Sequence, residues 1–243
     1  NVGTDFKQYS SFLNERNFNF GQITTTQVRA LNVGVNYVVN DDNFRKIVIG
    51  GHNFANGLDL LGGNARYFKY NGFFNAYYKI APKNGLMTIF KSGVQLAANT
   101  LPNAERFAIG GHSTVRGYSE ALLLGDSGYF ISGELRFPLP LPKKIKNFEL
   151  RKNLTGAIFA DHGAVFNGTL INDTNIRNPI MHRRRMLTSA GIGLRAKLTK
   201  YFTGKIDFAF GMAKRESNQP TARIHFSLAT ELFGKRLVDS LLY

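Results

Sequence analysis

Hydrophobic and polar residues alternate along most of this chain, in segments longer than an ordinary soluble strand. In residues 204–212, GKIDFAFGM, Ile206, Phe208, Phe210 and Met212 share one face, and Lys205, Asp207, Ala209 and Gly211 share the other. Residues 222–232 set Ile224, Phe226 and Leu228 against Arg223, His225, Ser227 and Glu231. Residues 128–139 set Tyr129, Ile131, Leu135, Phe137 and Leu139 against Ser132, Glu134 and Arg136. Residues 186–198 set Ala190, Ile192, Leu194, Ala196 and Leu198 against Ser189, Gly191, Gly193, Arg195 and Lys197. A period of two is the signature of β-strands. Similar segments fall at roughly 7–16, 26–39, 44–56, 65–80, 86–99 and 154–166, so the pattern predicts about ten strands with no helical interruption. Turn-forming clusters separate them at Asn40–Asn43, Pro82–Gly85 and Ser217–Pro220.

Strand length and the chemistry of the polar faces decide the class. A strand of a soluble protein averages about 5–6 residues, whereas a tilted strand crossing a bilayer needs about 9–11. The predicted strands have the second length. Alternation alone also suits a soluble sandwich. Here the polar faces mix charges of both signs with glycine, as a wet interior would, and no second layer is predicted to cover the apolar faces. No run approaches the roughly 18 apolar residues of a spanning helix, but strands that alternate escape any hydropathy window. The expected fold is therefore all-β, an antiparallel transmembrane β-barrel. Its lumen would carry Glu134, Arg136, Arg195, Lys197, Lys205, Asp207 and Arg223.

Composition narrows the function. The chain has no cysteine, which excludes disulfides, zinc–thiolate sites and a thiol nucleophile. Its net charge of +15 suits nucleic acid, an anionic membrane surface or a basic channel interior. The 21 Phe and 10 Tyr, with no Trp, recur along the whole chain. Nucleic-acid modules instead interleave aromatic and basic residues on one compact face. No nucleic-acid partner is expected, and a soluble basic β-protein that binds nucleic acid or polysaccharide is kept as the alternative class. His52, His112, His162, His182 and His225 show no metal-ligand spacing and read as chance placements. The strings IGGHNF and LGGN lack the strand-to-helix context of a nucleotide site, and no serine sits in a G-x-S-x-G elbow. No metal, cofactor or enzymatic activity is expected. Asn153, Asn167 and Asn172 head glycosylation-type triplets, which would carry no weight if the source is bacterial. The run His182–Arg185 reads as a solvated hairpin, with phosphate or lipopolysaccharide binding as the alternative. The polar residues after Asn1 do not form a signal peptide, so the chain is expected to be a mature product or a piece of one.

The longest irregular connection, 100–127, reads TLPNAERFAIGGHSTVRGYSEALLLGDS. Loops of that length usually have a job. Gly110, Gly111 and Gly117 allow a sharp hairpin with positive φ, with Arg116 at the tip beside Val115 and Tyr118. Most loop arginines are solvated. The other reading docks Arg116 on a carboxylate. Residues 156–166, GAIFADHGAVF, supply one: Phe159, Asp161 and Gly163 share a face, and Asp161 faces the lumen if Ile158 and Ala160 face lipid.

At these segments the sequence resembles a known family. AERFAIGGHSTVRGYSE followed by GDSGYFISGELRFPLP is similar to the loop and following strand of two-partner secretion transporters (TpsB). That family belongs to the superfamily containing the barrel insertase BamA. FADHGAVF resembles the family's second barrel signature, Phe-x-Asp-x-Gly, and GHNFANGLDLLGG resembles one of its strand-to-loop segments. The likeness covers roughly residues 20–233. It implies that 1–243 is the C-terminal portion of a sixteen-stranded outer-membrane β-barrel and that 100–127 folds inward. It further implies that Arg116 pairs with Asp161. The implied activity is passage of an unfolded partner protein across the bacterial outer membrane without nucleotide hydrolysis. POTRA domains outside this chain would capture that partner, and outer-membrane lipid or lipopolysaccharide would surround the barrel. A BamA-like insertion factor is the second function the resemblance allows. The chain departs from the family in having no POTRA segment, only about ten strands, and a tail, GKRLVDSLLY, after Phe233.

Overall fold

A computed structural model of the chain describes residues 2–13, 24–41, 43, 45–57, 66–82, 85–140, 153–167, 185–197, 199, 202–212 and 222–230. The alternation produces strands wherever it is sustained. They are β1 (Val2–Leu13), β2 (Thr24–Asn40), β3 (Lys46–Gly57), β4 (Tyr67–Ala81) and β5 (Leu86–Ala97), then two short strands β6 (Phe107–Ile109) and β7 (Leu123–Gly125). After these come β8 (Ser127–Pro138), β9 (Leu154–Phe166), β10 (Arg185–Lys197), β11 (Phe202–Gly211) and β12 (Ala222–Thr230).

Ten of them form one antiparallel sheet in the order β1-β2-β3-β4-β5-β8-β9-β10-β11-β12. This is a meander in which each strand pairs with its predecessor, as short hairpin connections dictate. Sheet neighbours follow chain order except between β5 and β8, where the chain leaves to make the β6–β7 ribbon and returns. The sheet is open: among the described residues, β1 and β12 each have a neighbour on one side only. Its strands run from 9 residues in β12 to 17 in β2, enough to cross a bilayer at a tilt.

The two faces have opposite chemistry. One carries Val33, Phe54, Phe90, Ile131, Ile158, Ile192, Ile206 and Phe208 as a broad exposed apolar surface, rising to 67% exposure at Ile224 and 83% at Phe226. No described element covers it. A monomeric soluble protein rarely leaves so large an apolar patch bare, whereas this is the lipid-facing band of a transmembrane barrel. On the other face the register lines up polar rows. Asp161 lies opposite Ser132 on one side and Ser189 on the other. Asp207 lies opposite Gly193 and His225, and Arg195 opposite Thr155 and Lys205. The face that sequence alternation assigned to the lumen is thus a single charged surface over β8–β12.

The connection from β5 to β8 is more ordered than its irregular sequence predicts. Its base holds a 3-10 turn at Asn103–Glu105, and its stem is the β6–β7 ribbon. Alternation could not reveal a three-residue strand, because three residues carry barely more than one period. The chain from His182 to Arg184, the Ser217–Pro220 turn and the tail after Phe233 lie outside the described residues.

Candidate functional site

The long connection lies on the charged face, and its sequence explains how it stays there. Gly110, Gly111 and Gly117 have φ of +109°, +97° and +89°, in the region side-chain-bearing residues avoid. These turns drive Val115, Arg116 and Tyr118 onto the wall. Val115, Tyr118 and Ile109 pack with Val165 of β9 and Leu187 of β10, and Phe107, Leu122, Leu123 and Phe130 surround that cluster. The loop therefore brings its own small apolar core to an otherwise polar surface. Tyr118 Oη donates to the Thr188 carbonyl oxygen at 2.7 Å. Gly117 sits so close to β11 that a Cβ there would lie 3.1 Å from the Gly211 nitrogen. Its N–H donates to His225 Nε2 at 3.0 Å, which fixes that ring nitrogen as an unprotonated acceptor.

Arg116 is the centre of the site and is only 4% exposed. Nε and Nη2 grip the Asp161 carboxylate in a fork, at 2.8 Å to Oδ2 and 2.8 Å to Oδ1, and the Arg116 backbone N–H adds a third bond to Oδ2 at 3.0 Å. Nη1 reaches Glu134 Oε2 at 2.7 Å and, more weakly, Asp207 Oδ2 at 3.5 Å. The guanidinium carbon stands 3.4 Å from the centre of the Phe159 ring, so the face that makes no hydrogen bonds is covered by an aromatic. Gly163 lies two residues beyond Asp161 on the same face, against Val115 and Ile109. Burial disfavours the charge of Arg116, but hydrogen bonding and attraction from Asp161 and Glu134 outweigh it and raise its pKa. Only a planar fork fits this arrangement; a lysine has a single point of charge.

The carboxylates are themselves held. Ser132 Oγ donates to Asp161 Oδ1 at 2.7 Å. Arg195 bridges Glu134 at 2.7 Å and Asp207 at 2.6 Å. Arg136 Nε binds Glu134 at 2.8 Å, and Lys205 lies 3.5 Å from Asp207. Gly193 makes room for this: a side chain there would collide with Asp207 and Arg195. Buried charges on this scale persist only when each is paired and hydrogen-bonded, and here each carboxylate has at least two donors.

Of the residues singled out in the sequence, the structure gathers Arg116, Asp161, Phe159, Glu134, Arg136, Arg195, Lys205 and Asp207 into one contiguous network. Lys197 and Arg223 line the same face farther out and are partly exposed. Sequence reasoning placed Ser132 on the polar face without giving it a role, and it missed Thr188 and the roles of two histidines. His225 is not a chance placement, since it receives the Gly117 N–H, and His112 pairs with Glu120 at 2.9 Å. Arg185, the one described residue of the run His182–Arg185, begins β10 and donates to the Leu124 carbonyl oxygen at 2.9 Å. A second anchor at the loop base was also missed. There Lys69 pairs with Glu105, Gln95 donates to the Glu105 and Asp126 carbonyl oxygens at 3.0 and 2.9 Å, and Asp126 Oδ1 accepts the Leu101 N–H at 2.9 Å. These partners lie 10 to 36 residues apart, and no local motif announces them.

A long-stranded antiparallel meander with one apolar, lipid-facing side and a loop latched to its charged side is the wall architecture of a transmembrane β-barrel of the outer-membrane class. The family model described as the Omp85 superfamily domain matches residues 30–232, and the chain belongs to that superfamily. Among solved structures it is similar to CdiB from Acinetobacter baumannii, with a TM-score of 0.67 and 21% identity over 95% of this chain and 38% of that one. It is also similar to BamA from Haemophilus ducreyi lacking POTRA domains 1–3, with a TM-score of 0.64 and 16% identity over 90% of this chain and 45% of that one. At these identities the likeness is one of fold. The chain spans less than half the length of either neighbour. No curated protein matches its sequence.

Proposed function

We propose that residues 1–243 form the C-terminal wall of an outer-membrane pore that secretes a partner protein in unfolded form, with 100–127 as its inward strap. The observation that carries this reading is the Arg116–Asp161 fork, which seats the long loop on a charged, water-compatible face. An unfolded chain exposes its peptide groups and needs such a surface along its path. Nothing in the network requires nucleotide hydrolysis, and folding of the partner outside would make passage directional. POTRA domains beyond this chain would deliver the partner, and outer-membrane lipid or lipopolysaccharide would contact the apolar face.

Insertion of other barrels is the competing activity, supported by the likeness to BamA. The two separate on depletion of the protein in its native bacterium. Secretion predicts that one exported partner accumulates inside while the complement of outer-membrane barrels is unchanged. Broad loss of those barrels would sink the secretion reading in favour of insertion.

A further inference from the structure

The strap tip is bonded to three strands of the wall, and one of these bonds differs in kind from the others. The Arg116 fork holds the tip on β9, and Tyr118 Oη holds it on β10 through the Thr188 carbonyl oxygen. A guanidinium and a backbone carbonyl keep their state across the neutral pH range. The bond to β12 runs from Gly117 N–H to His225 Nε2 at 3.0 Å, across 108 residues of chain. An imidazole changes its state within that range. Neutral, it accepts through one nitrogen; protonated, both nitrogens carry hydrogens and neither accepts. Gly117 N–H would then face another N–H, in a seat pressed close against the β11 backbone. The half-buried His225 ring lies opposite Asp207 of β11. Around it, Glu120 of the strap and Asp207 attract a charged ring, while a charged His112 of the strap and Arg223 of β12 repel it. Arg116 of the strap and Lys205 of β11 add two cations, both engaged with Asp207. His112 responds to acid in the opposite sense. Its backbone N–H and its Nδ1 both bind Glu120 Oε1, at 2.8 and 2.9 Å, and charge on that ring strengthens the pair. Acid therefore draws the 112–120 turn tighter on itself as it breaks the bond to β12.

We propose that His225 is a proton-operated clasp, closed on Gly117 when its ring is neutral and open when the ring is protonated. Mild acid then frees the strap tip from β12 while the Arg116–Asp161 fork stays shut. The clasp rests on this geometry alone, and it stands whether the pore secretes or inserts.

The test is residue-resolved amide hydrogen exchange on the full-length protein in lipid nanodiscs at about pH 8 and about pH 5, the window in which histidine titrates. Rates at each pH are corrected for intrinsic exchange. The Gly117 amide should lose about tenfold in protection on acidification, the loss expected for one broken hydrogen bond. The Arg116 amide, which donates to Asp161 Oδ2, should stay protected at both values. His225→Gln places a group that does not titrate at the same position and should abolish the pH dependence at Gly117. His112→Gln should retain it, which separates the clasp from the neighbouring histidine. Heat-modifiable mobility on gels reports folding of the variants, and the parent profile decides on its own if a variant does not fold. Equal protection of Gly117 at the two pH values overturns the proposal. So does the same acid-induced loss in folded His225→Gln, since another group would then be titrating. Joint loss at Arg116 and Gly117 overturns it as well, because the whole tip would then lift and no separate clasp would exist.

Discussion

Arg116 and Asp161, 45 residues apart in the chain, are joined by three hydrogen bonds to a single carboxylate, two from the guanidinium and one from the Arg116 backbone. The third bond matters because it ties the loop backbone, and not just a mobile side chain, to the β9 wall. A side-chain pair alone would let the loop shift while the ions stayed together.

Loss of charge at either end should therefore release the tip. Removing Arg116 leaves Asp161 and Glu134 facing each other with fewer donors, and breaking one partner of a buried pair costs about 3–5 kcal/mol. The β-ladders do not depend on that pair. Arg116→Ala and Asp161→Ala should each impair transport strongly while membrane insertion and heat-modifiable mobility remain near those of the parent. Wild-type transport by both variants would remove the latch from the mechanism. Arg116→Lys should fall between, since one ammonium cannot serve both Asp161 oxygens and Glu134 together.

Gly117→Ala tests the seat without touching a charge. Residue 117 has φ of +89°, and the new Cβ would press on the backbone of β11. A strained conformation of this kind costs about 1–3 kcal/mol, and relief requires lifting the tip, which also breaks the bond to His225. The expected result is faster protease cleavage within 110–118 and reduced transport, with the barrel still folded. Unchanged cleavage would mean that the tip tolerates the shift.

How much of this was legible beforehand differs between the wall and the strap. The wall was written in period-two alternation: the segment predicted at 154–166 is β9, and 186–198 is β10 displaced by one residue. Parity alone placed Glu134, Arg195 and Asp207 on Asp161's face. Pairing register then brought them within reach of one guanidinium, and register follows from every strand at once. The strap's stem was illegible because Phe107–Ile109 and Leu123–Gly125 are too short to show a period. Lys69 and Glu105 escaped notice for another reason. An ordinary lysine and an ordinary glutamate carry no signal until folding buries them together.

That buried pair gives the loop a second hold. Lys69 and Glu105 are both nearly inaccessible, and Leu101 beside them packs on Ala30, Ala55, Tyr67 and Ala97. Glu105→Gln leaves the Lys69 ammonium buried without its counter-ion, at a cost of roughly 3–5 kcal/mol. The base should loosen while the Arg116 latch holds. Hydrogen exchange measured on the membrane-embedded protein should show lost protection at 101–106 and retained protection at 115–118. Equal loss at both places would mean that base and tip open as one unit.

The charge balance of the face makes the last prediction. Around the latch, Lys91, Arg116, Arg136, Arg195 and Lys205 outnumber Glu134, Asp161 and Asp207. A surface of one sign concentrates counter-ions and repels co-ions, the more so in a low-dielectric passage. Pores reconstituted in planar bilayers should therefore favour anions over cations, with the preference fading as ionic strength rises and the Debye length contracts below about 10 Å. Arg136→Gln and Lys205→Gln should each shift the reversal potential toward the cation side. Strong cation selectivity in the parent protein would show that ions do not pass along this face, and the lumen would then have to be assigned elsewhere.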